Sequence, residues 1–134
     1  MEHSVQIIKV NETDELEGVI TFIINGKEYE AFYWGEKFSV WENITIFLDH
    51  LSYPLKWEDI FGENKNKEIK IVKSSQQPAS YYCYGKIISI TPIRADFGDL
   101  KLDLGDWTND EKVIGEYIYW VIDRLNIQLG FQKQ

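Results

Sequence analysis

The sequence predicts an all-β domain with a minor helix, built as a small antiparallel barrel or sandwich of roughly six to seven strands. Short runs of strand-forming residues recur along the chain, punctuated by Gly, Asn, Asp and Pro. An Asn25–Gly26 pair stands between two of those runs. Aromatic residues make up 15% of the chain, and aromatic and β-branched side chains fit the pleated, half-buried surface of a sheet. At 134 residues the chain reads as one domain, residues 1–134, long enough to bury a real core.

Residues 4–10 (SVQIIKV) form the first expected strand, ended by the turn-rich NETDE. Residues 17–24 and 27–34 then flank Asn25–Gly26, the strongest short signal for a hairpin, because a type I′ turn needs φ > 0 at both central residues. The turn fixes the register: Ile24 opposes Lys27, Phe22 opposes Tyr29 and Ile20 opposes Ala31. One face then carries Ile20, Phe22, Ile24, Tyr29, Ala31 and Tyr33. The other is polar at the tip and apolar at its base, with Val19, Phe32 and Trp34 there.

Gly35 breaks the run, and residues 43–50 form a further strand. Pro54 ends it, and LKWEDIFG (55–62) reads as a helical turn closed by glycine. Residues 62–80 are polar and read mainly as loop, with a short edge strand around Ile69 and Ile71 or a second helical turn as the alternatives. Residues 82–91 form a strand ended at Pro92. Residues 96–104 form the next, with Leu100, Leu102 and Leu104 alternating against Lys101 and Asp103. Within it, Phe97–Gly98 marks a bulge or bend. DWTNDEK (106–112) is a loop with a helical turn begun by Thr108 or Asn109. Residues 116–123 are apolar on both faces, the pattern of a central strand. Ile127, Leu129 and Phe131 add a last short one.

Two stretches echo each other. GVITFI (18–23) resembles GKIISI (85–90), and ITIFLDHL (44–51) shares Ile, Asp and Leu at equal offsets with IYWVIDRL (118–125). A duplication would make two pseudo-repeated three-stranded units. The order of strands around one short helix is loosely similar to an OB-type barrel, on strand order alone.

Formal net charge is −8, which opposes a phosphate backbone; lysines 65, 67, 70 and 73 are interleaved with Glu63 and Glu68, so no basic stretch offsets it. Nucleic acid and membrane are therefore not the expected partners. No signal-peptide pattern opens the sequence and its apolar runs are too short to span a bilayer, so a cytoplasmic location is the expectation. Cys83 is the single cysteine and, among aromatics, reads as a buried structural thiol.

Candidate chemistry is sparse. The acids Asp96, Asp99, Asp103, Asp106, Asp110 and Glu111 lack calcium-loop spacing, and read as the wet face of a strand plus turn residues. The loop Asp106, Asn109, Asp110 and Glu111 is the one place weighed for a cation, and neither metal nor cofactor is expected. Cys83, His50 and Asp49 are the only composable triad, with no spacing to bring them together. Asp49 and Asp123 are expected to serve turns, or a salt bridge with Arg124 or Arg94. Tryptophans at or beyond strand ends, beside acids, are the better lead, because Trp and Tyr dominate the energetics of many interfaces. The expected binding residues are Trp107, Asp106, Asp110, Glu111, Trp57 and Trp41. The expected function is non-enzymatic binding of a basic protein partner, in the manner of a toxin-neutralising immunity protein. The alternative is a small-ligand or carbohydrate-binding barrel that uses Trp and Tyr as stacking platforms. A homodimer paired through residues 4–10 is also open to this chain.

Overall fold

The computed structural model describes residues 2–52 and 54–129, the last by its main chain. Among them are nine strands: β1 (Glu2–Asp14), β2 (Glu17–Ile24), β3 (Lys27–Trp34), β4 (Asn43–Ser52), β5 (Lys70–Lys73), β6 (Tyr81–Ser89), β7 (Ile93–Asp96), β8 (Lys101–Gly105) and β9 (Tyr117–Leu129). One helix, α1 (Trp57–Gly62), and one 3-10 turn (Glu111–Val113) accompany them. The fold is all-β, as its punctuated strand pattern predicts.

The strands lie in one sheet in the order β3-β2-β1-β4-β9-β6-β7-β8, with β5 alongside β6. Neighbours are antiparallel except at one parallel bridge, Phe32 with Asn126, which joins β3 to β9. That bridge closes the path β1-β2-β3-β9-β4 into a ring. Five strands in a ring is also the number in an OB-type barrel; α1 and β5 to β8 are inserted between the fourth and fifth. β9 belongs to both parts. Its second half pairs with β4 inside the ring, and its first half pairs with β6 outside it.

The β2–β3 hairpin has the register that its turn dictates, with Ile24 opposite Lys27, Phe22 opposite Tyr29 and Ile20 opposite Ala31. Its predicted inner face is buried throughout, from Ile20 to Tyr33. Asn25 and Gly26 both take positive φ, 53° and 77°. On the outer face Val19 and Phe32 are half-buried and Trp34 is 43% exposed, so the base is less covered there than the pattern predicts.

Two features raise the strand count above the expected six to seven, and a third lowers it. The run 96–104 is not one strand. The bend at Phe97–Gly98 is a full reversal, in which Phe97 N–H donates to the Leu100 carbonyl at 2.9 Å and Asp96 Oδ1 accepts from Gly98 N–H at 2.8 Å. The chain therefore divides into β7 and β8, while Leu100, Leu102 and Leu104 remain buried as expected. The edge-strand alternative for 62–80 is realised as β5, paired with residues 81–84 of β6. The last two expected strands, in turn, are one. Between Ile122 and Arg124 the pairing with β4 slips by a residue. This bulge reverses which alternate residues face inward, from Ile118 and Ile122 to Leu125 and Ile127. Phe131 lies outside the described residues.

The echoed stretches are not equivalent units. β6 lies beside β9, but β2 does not lie beside β4. What they share is local: a Cβ on Gly18 would run into the Asn11 carbonyl oxygen, and one on Gly85 into that of Asp96. Both glycines admit a close approach by a neighbouring strand. β1 is likewise an inner strand, bonded to β4 through residues 2–6 and to β2 through residues 6–14. The strand expected to offer a dimer edge is thus already paired within the chain.

Candidate functional site

The site is built where the insertion folds back on β9. Six residues are too few for a helix to stand alone, and α1 is held from outside. Ile60 is buried beneath it. Just past its end, the buried Asn64 side chain donates to the carbonyls of Ile118 at 3.1 Å and Glu68 at 2.9 Å, and accepts from Glu68 N–H at 2.8 Å. Those bonds fasten α1 to β9. The loop after β8 is stiffened in its own way: Thr108 Oγ1 accepts from Asp110 N–H at 3.2 Å, and Asp110 Oδ1 from Lys112 N–H at 3.0 Å. The turn thus starts from Asp110, one residue beyond the expected Asn109, and Val113 anchors it in the core.

These two supports bring Trp57 and Trp107 together. Their ring centroids are 5.3 Å apart, edge to face, and Trp107 also stacks at 5.9 Å and 18° on Trp120 of β9. Phe61 closes the group, 5.0 Å from Trp57 and 6.0 Å from Trp107. The recess among them has a volume of about 310 Å³ and is lined by Ser52, Pro54, Leu55 and Ile60 besides the three tryptophans. Trp57 is 49% exposed, so an aromatic face is open to solvent. Trp107 Nε1 is buried without an acceptor among the described residues, an arrangement that costs about 1–3 kcal/mol.

At the floor runs a chain of polar contacts. Trp120 Nε1 donates to Ser52 Oγ at 2.7 Å, Ser52 Oγ lies 2.5 Å from His50 Nδ1, and His50 Nε2 lies 2.9 Å from the Asp103 carbonyl oxygen. A carbonyl only accepts, so Nε2 carries the proton; in the neutral ring Nδ1 then accepts from the Ser52 hydroxyl. The links join β9, β4 and β8, and act as a strut beneath the cleft. His50 is therefore occupied. Cys83 lies in the core, where burial pushes its thiol pKa up, and Asp49 Oδ1 accepts from the His50 main-chain N–H. The composable triad of Cys83, His50 and Asp49 does not assemble.

Of the predicted binding residues, Trp57 and Trp107 meet, while Asp106, Asp110 and Glu111 flank Trp107 along the exposed loop. Trp41 does not join them. It is 67% exposed on the β3–β4 connection, where its N–H donates to the Ile7 carbonyl. Asp99 leaves the expected wet face altogether: it accepts from Asn25 Nδ2 at 3.0 Å and Tyr29 Oη at 2.5 Å, with Lys27 Nζ at 3.8 Å. Burial pushes its pKa up, but those bonds and the lysine outweigh burial and hold it below the usual range. Asp123 accepts from Gln77 Nε2 at 3.2 Å, and Arg124 lies over the Phe32 ring at 4.4 Å, in place of the expected salt bridge. Among the described residues no three His, Cys, Asp or Glu side chains converge as a metal site would require.

No family model, curated protein or solved structure matches this chain.

A second surface lies on the outer face of β6 and β9. Tyr117, Tyr119 and Val121, expected to be covered, are half-buried and share the outer face of the sheet with Tyr82 and Tyr84. Tyr84 and Tyr119 lie 5.1 Å apart, and Lys70 Nζ sits 5.0 Å over Tyr84. The signal was present in the alternation of YYCYGK (81–86) and YIYWV (117–121). Period-two patterning separates the two faces of a strand, but two apolar faces do not reveal which one the rest of the chain leaves open.

Proposed function

We propose that this chain is a non-enzymatic protein-binding domain that receives a basic segment of its partner, with one apolar side chain, in the cleft between α1 and the loop carrying Trp107. The observation that carries the reading is the convergence of Trp57, Trp107 and Trp120 from three separate segments onto one recess, with Trp57 half exposed. A rigid aromatic pocket is the usual seat of an interface anchor. Carboxylates flank it on both segments: Glu58 and Asp59 in the first turn of α1, and Asp106, Asp110 and Glu111 around the loop. Together with the net charge of −8, they favour a cationic partner and speed its approach. A cytoplasmic setting belongs to this reading; no helix among the described residues is long and apolar enough to cross a membrane.

The test is capture of partners on the immobilised protein at low and moderate salt, with identification of what is retained. The expected result is a basic protein whose retention weakens with salt and is lost with Trp57→Ala, and whose association slows with Asp106→Asn combined with Glu111→Gln. Retention indifferent to all three changes, or no salt-sensitive basic protein at all, removes the reading.

A further inference from the structure

We infer that the groove on the outer face of β9, from Tyr119 to Arg124, is a binding site for a neutral oligosaccharide, distinct from the tryptophan cleft that it adjoins at Leu55. Two hollows adjoin here, of about 400 and 340 Å³, and both are bordered by Gln77 and Asp123. The first is floored by Tyr82, Tyr119 and Val121, the second by Phe32 and Leu51. Two adjoining hollows suit a chain of sugar units better than one compact ligand. The lining has the required duality, because a pyranose offers an apolar C–H face to an aromatic ring and a girdle of hydroxyls to polar groups. Here the polar groups are mostly neutral, and partly arranged in advance: Gln77 Nε2 donates to both the Asp123 carbonyl and its carboxylate, at 3.1 and 3.2 Å. A few fixed polar groups over apolar walls are the usual composition of a small-molecule site.

Charge decides against the competing ligands. The second hollow is bordered by one carboxylate, Asp123, and one guanidinium, Arg124, and the latter is stacked on Phe32 and Trp34 at 4.4 and 5.8 Å. Nearby Lys70 and Lys86 rest over Tyr84 and Tyr117. The groove therefore has little net charge of its own, in a protein whose overall field repels polyanions. An uncharged ligand recognised by stacking and hydroxyl contacts fits both facts.

The experiment is a ¹H–¹⁵N NMR titration of the full chain with cellohexaose, maltohexaose and chitohexaose, with a heparin hexasaccharide as the anionic comparison. The expected result is saturable shifts at Gln77, Tyr119, Asp123 and Arg124 with at least one neutral sugar. Tyr119→Ala should weaken that binding roughly tenfold, Gln77→Ala less, and Trp57→Ala not at all. Gln77 lies on an exposed loop, so its variant carries the test should Tyr119→Ala fail to fold. The inference is overturned if none of the three neutral sugars moves these residues, if the shifts map to Trp57 and Trp107, or if heparin alone produces them.

Discussion

At the tip of β2–β3, Asn25 and Gly26 reverse the chain with two residues in the left-handed region; at the tip of β7–β8, the chain reverses around side chains docked elsewhere. Phe97 and Leu100, which bracket the second turn, are 1% and 0% exposed. Asp99, between them, reaches across to Asn25, Lys27 and Tyr29 at the tip of the first hairpin. The first turn is specified by local conformation alone, whereas the second adds to its own glycine, Gly98 at φ 101°, the partner it finds. The two depend on each other at a single carboxylate, so the ring and the insertion are joined at their tips as well as along β9.

Substitutions should separate these two kinds of turn. The largest effect is expected at Phe97→Ala, about 3–5 kcal/mol as for other large core truncations, read from urea unfolding. A cost below about 1 kcal/mol would mean that the second turn does not rely on its docked ring. Asp99→Ala should follow at about 1–3 kcal/mol, since it leaves the Tyr29 hydroxyl without its acceptor. Gly26→Ala, at φ 77° in open space, should cost least, about 1 kcal/mol of local strain. If Gly26→Ala proves more damaging than Phe97→Ala, it is the first turn and not the second that the fold depends on more.

The same contact has a pH signature. The folded state holds the Asp99 carboxyl below its ordinary pKa, so its contribution is complete above the unfolded value near about 4 and is lost as pH falls through the folded one. Acid unfolding followed by circular dichroism should show this limb, and Asp99→Asn should flatten it. On the alkaline side the sign reverses. Burial raises the pKa of Cys83, Tyr29 and Tyr81, so the native state keeps protons that the unfolded chain releases. Stability should decline above about pH 8.5 for the thiol and about pH 10 for the phenols, and Cys83→Ala should delay its onset. An alkaline limb identical in that variant would assign the whole decline to the tyrosines or to other groups.

What could be read from residues alone follows the same division. Asn25–Gly26 announces its turn and register because the φ requirement is local. The alternation of Leu100, Leu102 and Leu104 announces a buried face for the same reason. The reversal at Phe97–Leu100 is legible only as a bulge or bend at Phe97–Gly98, since its extent depends on a core that the sequence does not display. At the cleft, Trp57 and Trp107 are marked by type and by neighbouring acids, whereas Trp120 reads as strand interior and Phe61 as the end of a helical turn. Trp41 looked equivalent to them and is not, because only the fold decides which loops meet. The tyrosine face was hidden by symmetry: a strand apolar on both sides does not say which side stays open.

The position of β9 bears on synthesis. The ring and the insertion are each completed by this one strand, and it is translated after every strand that it pairs with. Until it emerges from the ribosome, β4 and β6 both present unpaired edges lined with strand-forming residues, the kind of surface that templates association between chains. The nascent domain therefore stays exposed to misassembly until β9 is made, and a stall shortly before Tyr117 should be more hazardous than an earlier one.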